Sequence, residues 1–376
     1  MIVIADDITG AAEIAGIAFS QGQQVRLICS SSGSDDVCSA CGDGITKGET
    51  VVIATDTRSM TEVEAVTETQ RIASALSHLP SAIFKKTDSA LRGHVIAELS
   101  TLMRATGYQR AVYLPANPSK SRIIRNGIYY IKEVKDVPIS ETAFSYDPEF
   151  PAKTSVLKER FPEAAPKHII MPDATCTEDI HQAIAQYNDG HTIFAGAADL
   201  FTEVLMEIGD SSNTSNPSHT SYTSESRISR TVSSTLILCG STQSKPLDLG
   251  IPIAPMPTAL YDGSDDISLW DTDVYADKKS LILTIPHQHR TGKAIAIHLR
   301  TLMSQKTKAL VAIHRPEHLI IEGGATAWAV LQTLGWTEFE IVQQISPGVV
   351  NMKAANGTLV TLKPGSYSWG PLFNKA

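Results

Sequence analysis

No uninterrupted apolar run in this 376-residue chain approaches the ~18 to 20 residues that a membrane-spanning helix requires, so no membrane association is expected. An excess of basic charge is missing as well. Lys and Arg number 32 against 40 Asp and Glu, a formal charge of −8, and phosphate backbones select basic surfaces; no nucleic-acid partner is expected. Cysteine is scarce and odd in number: Cys29, Cys38, Cys41, Cys176 and Cys239. A disulfide framework is denser and even, so a reducing, cytoplasmic setting is expected. Cys38 and Cys41 form a lone C-x-x-C with no second pair nearby to complete a zinc site, and read as two loop thiols. The first residues do not read as a signal peptide, since they lack a basic start and Asp6 and Asp7 interrupt the first apolar stretch.

Several familiar catalytic signatures are also absent. There is no G-x-x-x-x-G-K-[ST], no G-x-G-x-x-G after a strand and no G-x-S-x-G, which disfavours a P-loop enzyme, a dinucleotide fingerprint and a nucleophile elbow. Asp6-Asp7-Ile8-Thr9 lacks the second acid, two positions on, that aspartyl-phosphate chemistry wants. His287 and His289 sit in a Pro-flanked loop and read as a solvated turn. No metal ligands are assigned.

What is present is ample core material, 42% hydrophobic and 19% charged residues, over a length that suggests two domains. Short apolar runs alternate with helical periodicity through the first two hundred residues, as in Ile2–Ala5, Ala11–Ser20, Val25–Cys29, Val51–Ala54 and Thr61–Leu79. That rhythm means βαβ units and a mostly parallel sheet. A hairpin is expected around Asn126-Gly127, which favours a type I′ turn. Residues 211–235 change character: fifteen of these 25 are Ser or Thr, without apolar periodicity, and read as a linker or loop. Beyond them the α/β alternation restarts and closes in alternating strand patterns split by Asn356-Gly357. The expectation is an α/β protein of two α/β domains with mostly parallel sheets, the C-terminal one ending in antiparallel strands. The domains would be 1–210 and 236–376.

Ligands of open α/β sheets bind beyond the carboxyl ends of the strands, so what each strand ends in is informative. The first ends in Asp6-Asp7-Ile8-Thr9, another in Thr55-Asp56-Thr57-Arg58, another in Lys85-Lys86-Thr87-Asp88-Ser89 followed by Arg92, and another in Pro115-Ala116-Asn117. Arg58, Lys86 and Arg92 suit an anionic substrate, Arg because its fork holds a carboxylate bidentately. Asp7 and Asp88 can accept a proton from a hydroxyl, and Thr9 and Ser89 offer hydroxyls to a polyol. In the second half, Glu322-Gly323-Gly324-Ala325-Thr326 and Cys239-Gly240-Ser241 each join a strand to a small-residue turn, and Lys363-Pro364-Gly365 lies in the terminal strand region. Backbone amides at such turns meet phosphate oxygens, with a helix dipole helping.

At these residues the chain resembles the four-carbon acid sugar kinase family. The words that carry the resemblance are I-A-D-D-I-T-G-A at 4–11, T-D-T-R-S at 55–59, K-K-T-D-S-A-L-R-G at 85–93, P-A-N-P at 115–118, C-G-S-T at 239–242, E-G-G-A-T-A at 322–327, S-P-G-V at 346–349 and L-K-P-G at 362–365, in family order over almost the whole chain. The resemblance implies a first domain that binds the sugar acid, a second that binds ATP, and transfer of the γ-phosphoryl group to the terminal hydroxyl of threonate, erythronate or 3-oxo-tetronate. Mg²⁺ accompanies ATP in that reading. Carried over by position, Asp7, Asp88 and Lys86 would be catalytic. Asp6, Thr9, Arg58, Ser89 and Arg92 would bind the acid, with the carboxylate on Arg58 and Arg92. Ser241, Gly323, Gly324, Ala325, Thr326 and Gly365 would bind ATP. The alternatives are a non-catalytic sugar-acid sensor and a sugar-acid isomerase or dehydrogenase with another nucleotide cofactor. A homo-oligomer is compatible with the sequence.

Overall fold

A computed structural model describes residues 1–30, 48–77, 79, 81–147, 149–210, 234–241, 247–275, 279–286, 292–365, 367 and 369–373. Cys38, Cys41, His287, His289 and all but the last two positions of the 211–235 stretch lie outside the described residues. The chain divides into two compact units, Met1–Ile14 with Ser32–Thr220, and Ala15–Ser31 with Ser221–Ala376.

The strands are β1 (Ile2–Ala5), β2 (Gln24–Cys29), β3 (Glu49–Ala54), β4 (Ile83–Lys86), β5 (Arg110–Leu114), β6 (Arg122–Arg125), β7 (Ile128–Lys132), β8 (Asp136–Pro138), β9 (Ile169–Ile170), β10 (Thr192–Gly196), β11 (Thr235–Cys239), β12 (Ile253–Pro255), β13 (Ser280–Thr284), β14 (His318–Glu322), β15 (Glu338–Ser346), β16 (Val349–Ala354) and β17 (Leu359–Lys363). The helices of more than two turns are α1 (Ile8–Ser20), α2 (Glu62–Leu76), α3 (Val95–Thr106), α4 (Thr177–Tyr187), α5 (Ala198–Asp210), α6 (Lys293–His314) and α7 (Gly324–Leu334).

In the first unit the sheet order is β3-β1-β4-β10-β5-β9, every pair parallel. Its strands are near-continuous apolar runs because helices cover both faces; Ile2, Val3, Ile4, Val51, Val52 and Ile53 are all fully buried. The sheet neighbours of β1 are β3 on one side and β4 on the other, so its carboxyl end is a topological switch point. The expected hairpin is β6–β7, and β8 adds a third antiparallel strand. Asn126 and Gly127 both adopt positive φ, 53° and 71°, as a type I′ turn demands.

In the second unit the order is β12-β13-β11-β14-β17, all parallel, continued by antiparallel β16, β15 and β2. Here β11 lies between β13 and β14 and supplies the second switch point. A buried polar chain crosses the sheet. His318 Nε2 meets Thr361 Oγ1 at 2.7 Å, Thr361 donates to Asn351 at 2.5 Å, and Asn351 donates to Gln343 at 2.8 Å.

Three local expectations are corrected. Helix α1 starts at Ile8 rather than Ala11, because Asp7 caps it through the Gly10 amide at 2.9 Å; Thr9 is thus inside the helix rather than before it. Lys85 and Lys86 belong to β4 rather than following it, since their ammonium groups find buried acceptors. The strand Gln24–Cys29 joins no parallel βαβ unit; it runs antiparallel to β15, with Arg26 opposite Glu340 and its guanidinium 3.1 Å from Glu338.

Candidate active site

In the first unit, the ends of β1, β3 and β4 bring Asp6, Asp7, Arg58, Lys86 and Asp88 together. Arg58 sits on a single 3₁₀ turn, Thr57–Ser59, entered through Asp56 in the left-handed region. Its guanidinium donates twice to Asp6, at 3.0 and 2.9 Å, and once to Asp7 at 3.0 Å, and it stands 3.7 Å from Asp88. Three carboxylates therefore converge on one cation. Burial alone would lower the Arg58 pKa; the three acids reverse that and hold it well above its usual value.

The acids differ in what they have left to offer. Asp88 accepts the Ala90 amide at 2.8 Å, the Arg92 amide at 3.3 Å and two Arg92 side-chain N–H groups at 2.9 Å each. Three of these four bonds fall on Oδ2; Oδ1 takes the fourth and faces Arg58 at 3.7 Å. Burial pushes its carboxyl up, but Arg58 and Arg92 outweigh burial and hold it well below the usual range. Asp7 accepts the Thr9 hydroxyl, the Gly10 amide and one Arg58 N–H, which leaves one direction open. Burial again acts upward, and Arg58 and Lys86 override it, so Asp7 is ionised at neutral pH. Asp6 goes the other way: burial, with Asp7 beside it, raises its pKa against the pull of Arg58.

Two glycines make room for this cluster. A Cβ on Gly10 would lie 2.7 Å from Asp7 Oδ1, and one on Gly93, at φ +99°, would lie 3.2 Å from Asp6 Oδ2. The loop after β4 carries Leu91 at φ +64°, a conformation that costs an L-residue ~1 kcal/mol or more. Arg160 holds the loop by donating to the Leu91 carbonyl at 2.9 Å.

Several contributors carry no motif of their own. Lys86 Nζ donates to the Thr87 carbonyl at 3.0 Å and lies 3.5 Å from Glu13, which also takes Lys120. Beneath the cluster, Lys85 Nζ meets Glu98 Oε2 at 2.5 Å with both side chains 1% exposed, and Thr57 donates to the same oxygen at 2.9 Å. Arg122 donates to the Ser89 hydroxyl, and Tyr129 to the Ser89 carbonyl. The available signal for Glu13 is a single charge in the otherwise apolar, Ala-rich helix α1. Glu98 has no such signal, because a carboxylate on a helix normally reads as a solvent face.

In the second unit the ends of β11, β14 and β17 meet at Gly240, Ser241, Gly323, Thr326 and Gly365. A Cβ on Gly240 would lie 2.7 Å from Thr326 Cβ, and one on Gly365 would lie 2.8 Å from Ser241 Cβ. Gly323 stands at φ +93° immediately before α7. Backbone thus lines the start of an eleven-residue helix, as a phosphate cradle needs. Beside it lies a cavity of about 240 Å³ that Gly240, Ala325 and Thr326 share with Ile285, Ile295, Ala296, Leu299, Arg300 and Met303. Gly324 opens α7 and accompanies Gly323 in the turn. Lys363 and Glu322 pair at 2.7 Å below the glycines, both fully buried, with the ammonium 4.5 Å from the centre of the Trp369 ring. Every described residue expected at a nucleotide site therefore falls on one rim, and the wall from α6, apolar but for Arg300, is an addition.

The two switch points define a protein that pairs a polar, carboxylate-rich α/β unit with a glycine-lined one. Residues 1–199 match the family described as sugar-binding N-terminal domain, and residues 271–367 match the nucleotide-binding C-terminal domain. The chain belongs to the four-carbon acid sugar kinase family. It is 31% identical over 161 residues to a D-threonate kinase of Salmonella typhimurium, and 29% identical over 158 residues to a D-threonate kinase of Bordetella bronchiseptica. Those stretches cover 42% and 41% of this chain but only 35% and 36% of the two relatives, so the matched stretch spans about a third of their length. Among solved structures, a Salmonella typhimurium LT2 protein superposes with a TM-score of 0.71 at 18% identity, over 98% of this chain and 96% of that one. Haemophilus influenzae protein HI1011 gives 0.66 at 20% identity, over 98% and 97%. These likenesses establish the two-domain α/β fold with its antiparallel C-terminal strands.

Proposed function

We propose that the chain is an ATP-dependent kinase that phosphorylates the terminal hydroxyl of a four-carbon sugar acid, threonate, erythronate or 3-oxo-tetronate, to the 4-phosphate. The observation that carries this reading is Asp7: an ionised carboxylate at a strand-end switch point, fixed by Arg58 and the α1 amide, with one lone-pair direction left.

Phosphoryl transfer asks for alignment, charge neutralisation and a proton acceptor. The substrate hydroxyl oxygen forms the new O–P bond while the bond from the γ-phosphorus to the β,γ-bridging oxygen breaks, and ADP leaves with that electron pair. The hydroxyl proton passes to Asp7. Asp88 serves less well as base because Arg92 and the Ala90 amide occupy it. Lys86, buried 3.5 Å from Glu13 and acting on the Asp7 carboxylate, supplies positive charge there. Thr9 and Ser89 present hydroxyls to the polyol, and Asp6, Arg58 and Arg92 frame its pocket. In the second unit, Ser241, Gly323, Gly324, Ala325, Thr326 and Gly365 receive the nucleotide phosphates, and the adjoining cavity, with aliphatic side chains and Arg300 in its wall, receives the base. Mg²⁺ bound with ATP would supply charge neutralisation at the phosphates, and a hydrated ion of this kind would ask few protein ligands. Among the described residues there is no group of three or more metal-binding side chains.

Among the described residues no helix is long and apolar enough to cross a membrane, and Cys29, Cys176 and Cys239 are free thiols. The reading is tested by incubating the protein with Mg-ATP and each acid and following phosphorus resonances. A new phosphomonoester on one acid is the expected result. If every acid leaves ATP intact, the kinase reading falls.

A further inference from the structure

Of Arg58, Arg92 and Arg122 in the first unit, two are already spent. Arg58 serves Asp6, Asp7 and Asp88, and Arg92 serves Asp88 and lies 3.6 Å from Asp147. The lysines are matched too, since Lys86 and Lys120 share Glu13. Arg122 differs from all four. Its guanidinium donates to the Ser89 hydroxyl and stacks 5.5 Å from the centre of the Phe144 ring, and among the described residues it has no carboxylate partner.

The position of Arg122 is fixed by backbone. It begins β6 directly after the turn that leaves β5, and its amide and carbonyl bond to Asn117 at 3.1 and 2.8 Å. Asn117 in turn accepts the Asp199 amide at 3.0 Å, so three elements pin the segment. Ser89 is held from its other side by the Tyr129 hydroxyl on its carbonyl. A guanidinium has five N–H donors in a rigid plane. With one donor on Ser89 and a face on Phe144, Arg122 retains an edge able to take a carboxylate bidentately.

We infer that Arg122, rather than Arg58 or Arg92, receives the carboxylate of the sugar acid and thereby selects acids over neutral polyols. This rests on the kinase reading for the identity of the ligand, but concerns acid binding alone. Arg58 and Arg92 then keep Asp7 and Asp88 in place and need not give up their ion pairs when substrate arrives. Ser89, already on the guanidinium, meets the hydroxyl next to the carboxylate.

The test is calorimetric titration of D- and L-threonate and D- and L-erythronate into the wild type, Arg122→Met and Arg122→Lys, with ATP titrated in parallel. Methionine keeps an unbranched apolar stem against Phe144 and removes every donor; lysine keeps the charge and loses the fork. The acid bound by the wild type should lose affinity about tenfold to a hundredfold in the methionine variant and less in the lysine variant, while ATP affinity stays unchanged. Acid affinity within threefold of wild type in both variants overturns the assignment. So does a common loss of acid and ATP affinity in both, which marks a merely structural residue. A wild type that binds no acid overturns it together with the kinase reading. Acid binding that depends on Arg122 without any phosphoryl transfer overturns the kinase reading alone.

Discussion

Replacing Glu98 by Gln should damage the first unit well beyond what one helix position suggests. Lys85 and Glu98 are each 1% exposed and meet at 2.5 Å, and Thr57, the residue before Arg58, donates to the same carboxylate oxygen. The Gln variant leaves the Lys85 ammonium buried against a neutral amide. Removing one partner of such a pair costs about 3–5 kcal/mol, because the remaining charge has neither water nor counterion. For a unit of this size each kcal/mol moves the midpoint by about 2–4 °C, which puts the loss at about 6–20 °C. Thermal and urea unfolding followed by far-ultraviolet circular dichroism would measure it. The double variant Lys85→Met with Glu98→Leu separates charge from packing, since apolar replacement of a whole buried pair is often neutral. It should recover most of the lost stability while sugar-acid turnover stays low, because Thr57 no longer has the acceptor that orients the Arg58 turn. A single variant within 1 kcal/mol of wild type, on the scale of an exposed pair, would refute the reasoning. A double variant less stable than the single one would refute it equally.

Other consequences are as direct. Gly365→Ala forces a methyl group against Ser241 and should weaken ATP binding tenfold or more by calorimetry, with an overpacking cost of about 1–3 kcal/mol; full ATP affinity would remove Gly365 from the cradle. His318 is buried, and burial lowers its pKa from 6.5 to about 4. The unfolded chain then binds its proton first, so the second unit is most stable above about pH 6.5 and loses about 3 kcal/mol on the way to pH 4. Urea midpoints at pH 7.5 and 4.5 should show that fall in wild type and not in His318→Gln. Asp88 and Asp7 are held low by Arg58, Arg92 and Lys86, so their stabilisation is present above about pH 4 and disappears in stronger acid. Asp88→Asn should lower the stability of the first unit at pH 7 and flatten its acid limb; an unchanged acid limb would count against the cluster.

Much of this was legible from residue patterns. The strands were legible because a doubly covered parallel sheet writes itself as apolar runs such as Ile2–Ala5 and Leu319–Ile321. The rims were legible because polar and glycine words follow those runs directly. Pairing was less so: nothing in Gln24–Cys29 says that its partner lies more than three hundred residues on, in Glu338–Glu340, since alternation reports a strand and not its neighbour. Hydropathy also ends β4 at Phe84, whereas buried acceptors carry the strand through Lys86. The site shows the same limit. Motifs located Asp7, Arg58 and Asp88, but which arginine is spent and which keeps a free edge depends on Asp6 and Asp147 being close in space. Spacing along the chain does not carry that information.

The decisive assay is ADP release from Mg-ATP against a panel of D- and L-threonate, D- and L-erythronate and the 3-oxo-tetronates, for wild type and Asp7→Asn. One acid should raise ADP release well above the ATP-alone background, and Asp7→Asn should remove this turnover while still binding that acid. No stimulation by any acid, or turnover in Asp7→Asn within a few-fold of wild type, would contradict this reading.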